Sequence, residues 1–227
     1  MNTEKILSEY IRILLASNSI HFLTIRGHPG LGKSYTVLKT LNDLGLEEDT
    51  HYKILNGYIT PKKLFELLRK TEILEQPKLL VMDDLDSLLR NKISISILKG
   101  ALVSFNDKRT VSYESMRGDD RDQSFNFNGK IIMITNSMPR SIDIEPLLDR
   151  GIYFEYDFNP VQLASYIEEN ILPTYDLNIK EMDSVWTKVR RFIDNPSFSI
   201  RILNRTVAFY KHNSEKWYSL FTRSLKK

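Results

Sequence analysis

His21-Phe22-Leu23-Thr24-Ile25-Arg26-Gly27-His28-Pro29-Gly30-Leu31-Gly32-Lys33-Ser34 is the stretch on which the reading of this 227-residue chain turns. His21 to Ile25 is a short apolar strand that runs straight into a glycine-rich loop. From Ser34 to Leu41 the residues Val37, Leu38 and Leu41 recur at steps of three and four, the spacing of a helix. A bound phosphate needs several inward-pointing backbone N–H groups, and side chains would crowd them. Glycines at 27, 30 and 32 relieve that crowding, and the following helix aims its positive end at the anion. Lys33 can then reach β- and γ-phosphate oxygens, and the Ser34 hydroxyl can coordinate Mg²⁺. The stretch from Gly27 through His28, Pro29, Gly30, Leu31, Gly32, Lys33 and Ser34 to Tyr35 is the expected nucleotide cradle.

Working outward, Leu79-Leu80-Val81-Met82 is an unbroken apolar run that ends in Asp83 and Asp84. Strands covered by helices on both faces read this way. Ligands sit at the carboxyl ends of the strands in open parallel sheets, so Asp83 is placed to share the metal with Ser34, and Asp84 to orient or activate water. Further strands are expected at Tyr52–Leu55, Ile131–Ile134 and Ile152–Phe158. Helices are expected at 4–16, from Thr60 and Pro61 to about Arg69, and over Ile93–Phe105. Strands alternating with helices indicate an α/β structure with a parallel sheet. Beyond Pro160 the pattern turns helical, near 161–170, 183–192, 199–211 and 214–225. The boundary is placed near 158–160, giving a core over 1–158 and a small helical unit over 159–227.

With 41% apolar and 27% charged residues the chain has the composition of a folded domain rather than a disordered one. No cysteine is present, so disulfides and cysteine zinc sites are excluded. Glu4, Lys5, Glu9 and Arg12 interrupt any secretory core, and no segment reaches the roughly 20 apolar residues of a membrane span. A cytoplasmic protein without a membrane partner is expected. The net charge of +3 is unevenly spread. Arg201 to Lys227 carries seven basic residues and one acid, a local +6 that leaves −3 elsewhere. Such an element could meet nucleic acid or an acidic protein surface, or serve only as a solvated helix.

These motifs resemble the AAA+ ATPase superfamily over roughly residues 20–210. Gly27 to Ser34 looks like its Walker A motif and Leu79 to Asp84 like Walker B. The resemblance implies a three-layer P-loop fold with a small C-terminal helical lid, and ATP and Mg²⁺ as cofactors. The usual second Walker B acid is glutamate; Asp84 is one methylene shorter. Asn136, closing Ile131-Ile132-Met133-Ile134-Thr135-Asn136, matches the sensor-one position. Arg150 in Pro146-Leu147-Leu148-Asp149-Arg150 resembles an arginine finger, with Arg140 as local rival. Arg201 in Phe198-Ser199-Ile200-Arg201 resembles sensor two. Lys33, Asp84, Asn136, Arg150 and Arg201 are thus the catalytic set that the resemblance implies. A finger acting in trans implies a head-to-tail oligomer, a hexamer being one such ring.

Lys108–Tyr113 and Ser124–Phe127 read as a β-hairpin around a charged turn, residues 114–123. In replication-type members of the superfamily insertions at this point can contact DNA in the ring pore, and an interface or surface feature is the alternative reading of this hairpin. The turn holds Arg117 and Arg121 against Glu114, Asp119, Asp120 and Asp122, so its net charge is negative and DNA contact falls to Lys108, Arg109 and Lys130. The preferred expectation is an oligomeric ATPase acting in DNA replication or remodelling, with DNA and a replicative helicase or another protein as partners. Two alternatives stand beside it. One is a protein-remodelling ATPase, for which Tyr58-Ile59 offers slight support; the other is a nucleotide-gated scaffold, kept open by Asp84.

Overall fold

The computed structural model describes residues 2–73, 78–104, 106, 108–113, 123–138 and 144–225. The hairpin turn with Glu114, Arg117, Asp119, Asp120, Arg121 and Asp122 lies outside them, as do Phe105, Arg140, Lys226 and Lys227. The chain divides into two compact units. One comprises Thr3–His28 and Lys33–Tyr156; the other comprises Pro29–Gly32 and Asp157–Lys227. Sequence order did not foretell that four loop residues group with the C-terminal segment.

The first unit is built on a parallel five-stranded sheet in the order β2-β3-β6-β1-β7. Its strands are β1 (Phe22–Arg26), β2 (Tyr52–Asn56), β3 (Leu79–Asp83), β6 (Lys130–Thr135) and β7 (Ile152–Glu155). The three inner strands β3, β6 and β1 are buried along almost their whole length, as continuous apolar runs require. At the edge, β7 alternates between half-buried and exposed residues. The strand expected to reach Phe158 ends at Glu155. Only the Tyr156 amide continues the ladder, donating to Arg26 O at 2.6 Å, before Asn159 caps the next helix.

Helices α1 (Thr3–Ala16), α2 (Lys33–Asp43), α3 (Pro61–Ile73) and α4 (Lys92–Leu102) carry the apolar faces that the periodicity indicated. Leu7, Ile11 and Leu14 of α1 are fully buried. Leu64 and Leu68 of α3 join Leu80, Met133, Leu98 and Ala101 in the main core. The helix expected to reach Phe105 ends at Leu102, its last turn closed by Val103 N on Lys99 O at 2.8 Å. A short turn of helix, α5 (Glu145–Leu148), lies between β6 and β7 and was not anticipated.

Of the expected hairpin the described residues show two strands: β4 (Thr110–Tyr113) pairs antiparallel with β5 (Gln123–Asn126). Its aromatic residues pack on α3, with Tyr113 and Phe125 centred 5.5 and 5.3 Å from Phe65.

Two cations proposed for DNA contact have other duties. Arg109 is only 6% exposed and donates to Ala101 O at 3.1 Å and Gly129 O at 2.9 Å, its guanidinium lying over Phe127. Lys130 Nζ donates to Leu14 O, Leu15 O and Ser17 O at 2.6, 2.7 and 2.6 Å. Each therefore satisfies carbonyls at the C-terminal end of a helix, where a cation also complements the helix dipole. Lys108 alone of the three remains exposed.

The second unit is helical: α6 (Pro160–Tyr166) running into a π turn, α7 (Ile179–Val189), α8 (Ile200–His212) and α9 (Trp217–Ser224). Asn159 and Asn178 form capping boxes with Gln162 and Glu181. The capping box at Asn178 starts α7 four residues before the expected 183.

Removing the Lys130 ammonium should leave three helix-end carbonyls without their donor. Lys130→Met is expected to lower stability by about 2 kcal/mol, the scale of hydrogen bonds to a charged group. Urea unfolding with an unchanged midpoint would refute the assignment.

Candidate functional site

In the first unit the carboxyl ends of β1, β3 and β6 bring together Lys33, Ser34, Asp83, Asp84 and Asn136. The parallel register sets this up, pairing Arg26 with Thr135 and Asp83 with Ile134. The inner strands thus end within one residue of the same level.

Gly27 opens the loop where no side chain fits: a Cβ there would stand 2.2 Å from Tyr156 O. Gly30 and Gly32 adopt φ of +78° and +92°, values that favour glycine. Lys33 begins α2 and is only 5% exposed. Its ammonium donates to Gly27 O at 2.8 Å, His28 O at 2.9 Å and Asn136 Oδ1 at 2.8 Å. A buried charge must be compensated by polar partners, and these three acceptors do so. Asn136 Nδ2 in turn donates to Asp84 Oδ1 at 2.7 Å. Lysine can only donate and carboxylate can only accept, so the orientation of the Asn136 amide is determined.

Asp84 is exposed and has φ +54°, a left-handed conformation that aspartate tolerates better than most residues, at a cost of about 1 kcal/mol. Its amide donates to Ile134 O at 3.3 Å. Asp83, half-buried beside it, accepts a hydrogen bond from Ser34. Burial raises the Asp83 pKa above the usual carboxylate range. The Ser34 hydrogen bond opposes the rise, the neighbouring Asp84 charge adds to it, and Lys33 opposes it.

This donor set fits a magnesium nucleotide. Among the described residues no group of three or more His, Cys, Asp or Glu could cage a metal by itself. Mg²⁺ characteristically takes one or two protein oxygens and completes its shell with phosphates and water, and Ser34 with Asp83 offers that pair. Tyr35, 46% exposed on the first turn of α2, borders the cradle.

Two candidates remain, Arg150 and Arg201. Arg150 follows α5, is exposed, and donates from Nε to Pro146 O at 3.1 Å. Arg201 belongs to the second unit, where Ser199 caps α8 and Ile200 N donates to Gly30 O at 3.0 Å. A Cβ at Gly30 would lie 3.5 Å from Arg201 Cγ.

Sequence reasoning missed Asp86, which accepts from the hydroxyls of Thr135 and Ser137 on either side of Asn136. It also missed the buried bond between Thr36 Oγ1 and the Tyr156 hydroxyl, 2.9 Å, which ties α2 to the end of β7. A third acid three residues after Asp83 was the available signal for the first; nothing local signalled the second.

No protein-family model matches the chain. It is 33% identical over 145 residues to an uncharacterized 36.7 kDa protein of the nrdC-mobD intergenic region of Enterobacteria phage T4. That match covers 60% of this chain and 41% of the phage protein. Among solved structures it is similar to RuvB from Thermotoga maritima, with a TM-score of 0.52 at 16% identity over 92% of this chain and 62% of the other. The chain therefore spans less than two thirds of either protein. The likeness to RuvB concerns the fold alone, an α/β structure on a five-stranded parallel sheet. No helix among the described residues is long and apolar enough to cross a membrane.

The raised pKa of Asp83 means that its charge opposes folding. The stabilising protonated form prevails below the ordinary carboxylate pKa of about 3.9, and its benefit is lost as pH rises through the raised value. Asp83→Asn keeps an acceptor for Ser34 and removes the charge. Without magnesium or nucleotide, the variant should unfold at a higher temperature than wild type at pH 7 and at a similar one near pH 3.5. A lower melting temperature at pH 7 would refute this.

Proposed function

We propose that this chain is a magnesium-dependent ATPase domain that works as a head-to-tail oligomer in DNA replication or DNA remodelling. The observation that carries the reading is the continuous link from Lys33 through Asn136 to Asp84, beside Ser34 on Asp83. Hydrolysis of a nucleoside triphosphate chiefly needs charge neutralisation and an aligned water, and this set supplies groups for both. Lys33 exchanges its carbonyl partners for β- and γ-phosphate oxygens. Ser34 and Asp83 hold Mg²⁺, which when bound offsets charge on the phosphates. Asp84 orients the attacking water and accepts its proton, and Asn136 holds Asp84 in place. Arg201 reads the terminal phosphate in cis, and the exposed Arg150 reaches the site of a neighbouring subunit. ATP as the nucleotide rests on the resemblance of Gly27 to Ser34 to a Walker A motif.

DNA as substrate finds support on the second unit. Lys188, Arg191, Lys216 and Arg223 are exposed, and among the described residues none has a carboxylate within ion-pair distance. Lys188 lies over the rings of the buried Trp217 and the exposed Tyr218. A protein-remodelling role is the second reading, favoured by Tyr58, which is 79% exposed just before α3. The nucleotide-gated scaffold draws on the short arm of Asp84.

Lys33→Ala should weaken binding of a fluorescent ATP analogue tenfold or more, an order-of-magnitude expectation for losing a phosphate-bound ammonium. Unchanged affinity would remove the central assignment. In the same assay wild-type turnover separates enzyme from scaffold, and salt-sensitive stimulation by DNA separates the DNA reading from protein remodelling.

Mixing inactive Arg150→Ala and Asp84→Ala proteins in equal amounts should restore about a quarter of the wild-type sites, those with both groups intact across an interface. No recovery from subunits that demonstrably co-assemble would exclude a finger acting in trans.

A further inference from the structure

Asn136 meets two opposite demands, since one amide must face a cation with its oxygen and a carboxylate with its nitrogen. Its own backbone follows directly on β6, at a point where the chain leaves the sheet. Something must hold that turn, and the hydrogen bonds around it identify the group.

Thr135 is 1% exposed, and its hydroxyl donates to Asp86 Oδ1 at 2.6 Å while lying 2.8 Å from Ser137 O. The same hydroxyl accepts from Ser137 N at 3.2 Å. On the far side of Asn136, the Ser137 hydroxyl donates to Asp86 Oδ2 at 3.3 Å. The two oxygens of one carboxylate therefore grip the residues before and after Asn136. Asp86 itself sits two residues beyond Asp84, in the loop leaving β3, so the clamp crosses from one strand end to the next.

We infer that Asp86 is a positioning residue: by bracketing Thr135 and Ser137 it sets the Asn136 amide, and through it the carboxylate of Asp84. This rests on the reading of Asn136 and Asp84 as parts of a hydrolytic site. Asp86 touches neither Lys33 nor any reacting group, and its effect passes through the backbone at residues 135–137. Charge-assisted hydrogen bonds to hydroxyls are among the stronger neutral–ionic contacts, which suits a clamp that must keep one rotamer of a neighbour. Supporting groups that lock the first residues of a site commonly decide whether its geometry is productive.

The experiment has one arm that does not depend on turnover. The side-chain ¹H–¹⁵N resonances of Asn136, assigned from their loss in Asn136→Ser, should be displaced from exposed-amide positions in the wild type. Asp86→Ala should move them towards those positions, Ser137→Ala should move them less, and Asp86→Asn, which keeps an acceptor for Thr135, least. Should Asp86→Ala leave the Asn136 resonances where they were, the inference is wrong. Ser137→Ala keeps the test open if Asp86→Ala does not fold, since an unmoved Asn136 signal in that variant also counts against the clamp.

The second arm is a double-mutant cycle on ATP turnover. Asp86→Ala should lower kcat about tenfold with KM within about threefold, the pattern of an interaction made only in the transition state. In an Asn136→Ala background it should lower kcat no further, because the group that it positions is gone. Independent, multiplying losses would mean that Asp86 acts on stability alone. A wild type that binds no nucleotide would overturn the hydrolytic reading, while the resonance shifts would still decide whether Asp86 sets Asn136.

Discussion

Lys33 carries a full charge with almost none of its surface in water, and the arrangement of this domain's functional end follows from that constraint. An unpaired buried ammonium would cost many kcal/mol, so acceptors must converge on it. Two are carbonyls of its own loop and the third is Asn136, more than a hundred residues away in sequence. For all three to meet Lys33, β1 and β6 must be neighbours and in register, which requires the sheet order that the chain adopts. The lysine therefore joins the stability of the fold to the geometry of the site.

The same chemical device recurs where it serves structure alone. Lys130 and Arg109 place their charges on the terminal carbonyls of α1 and α4. A sequence shows such residues only as basic, and their position beside a hairpin suggested DNA contact. Burial and Arg109 together draw the Lys130 pKa down, as expected of a cation held for structural reasons. Of the three cations considered for DNA contact, Lys108 alone faces solvent.

Asp83 and Asp84 show what the site costs. Two adjacent carboxylates repel, one is desolvated, and the other sits in a left-handed conformation. Strain of this kind concentrates where function demands it and must be offset by the surrounding fold. The left-handed turn also gives a physical reason for aspartate where the resemblance would place glutamate. Aspartate is among the few side chains that tolerate that φ, and its short arm already meets Asn136 Nδ2.

From the sequence alone came the loop, the order of strands and helices, and the acid at the end of β3, because these are local patterns. Glycines at fixed spacing report a backbone that must approach an anion, and unbroken apolar runs report strands covered on both faces. The end of β7, the early start of α7 and the existence of α5 were not legible: a four-residue strand or helix is too short to show a period, and α7 starts at a capping box. Tertiary structure alone decided that Asn136 bridges Lys33 and Asp84, that Asp86 brackets Asn136, and that Lys130 and Arg109 serve helix ends. Those facts depend on which strand ends lie side by side. Hydrogen bonds between residues far apart in the chain leave no periodic trace in it.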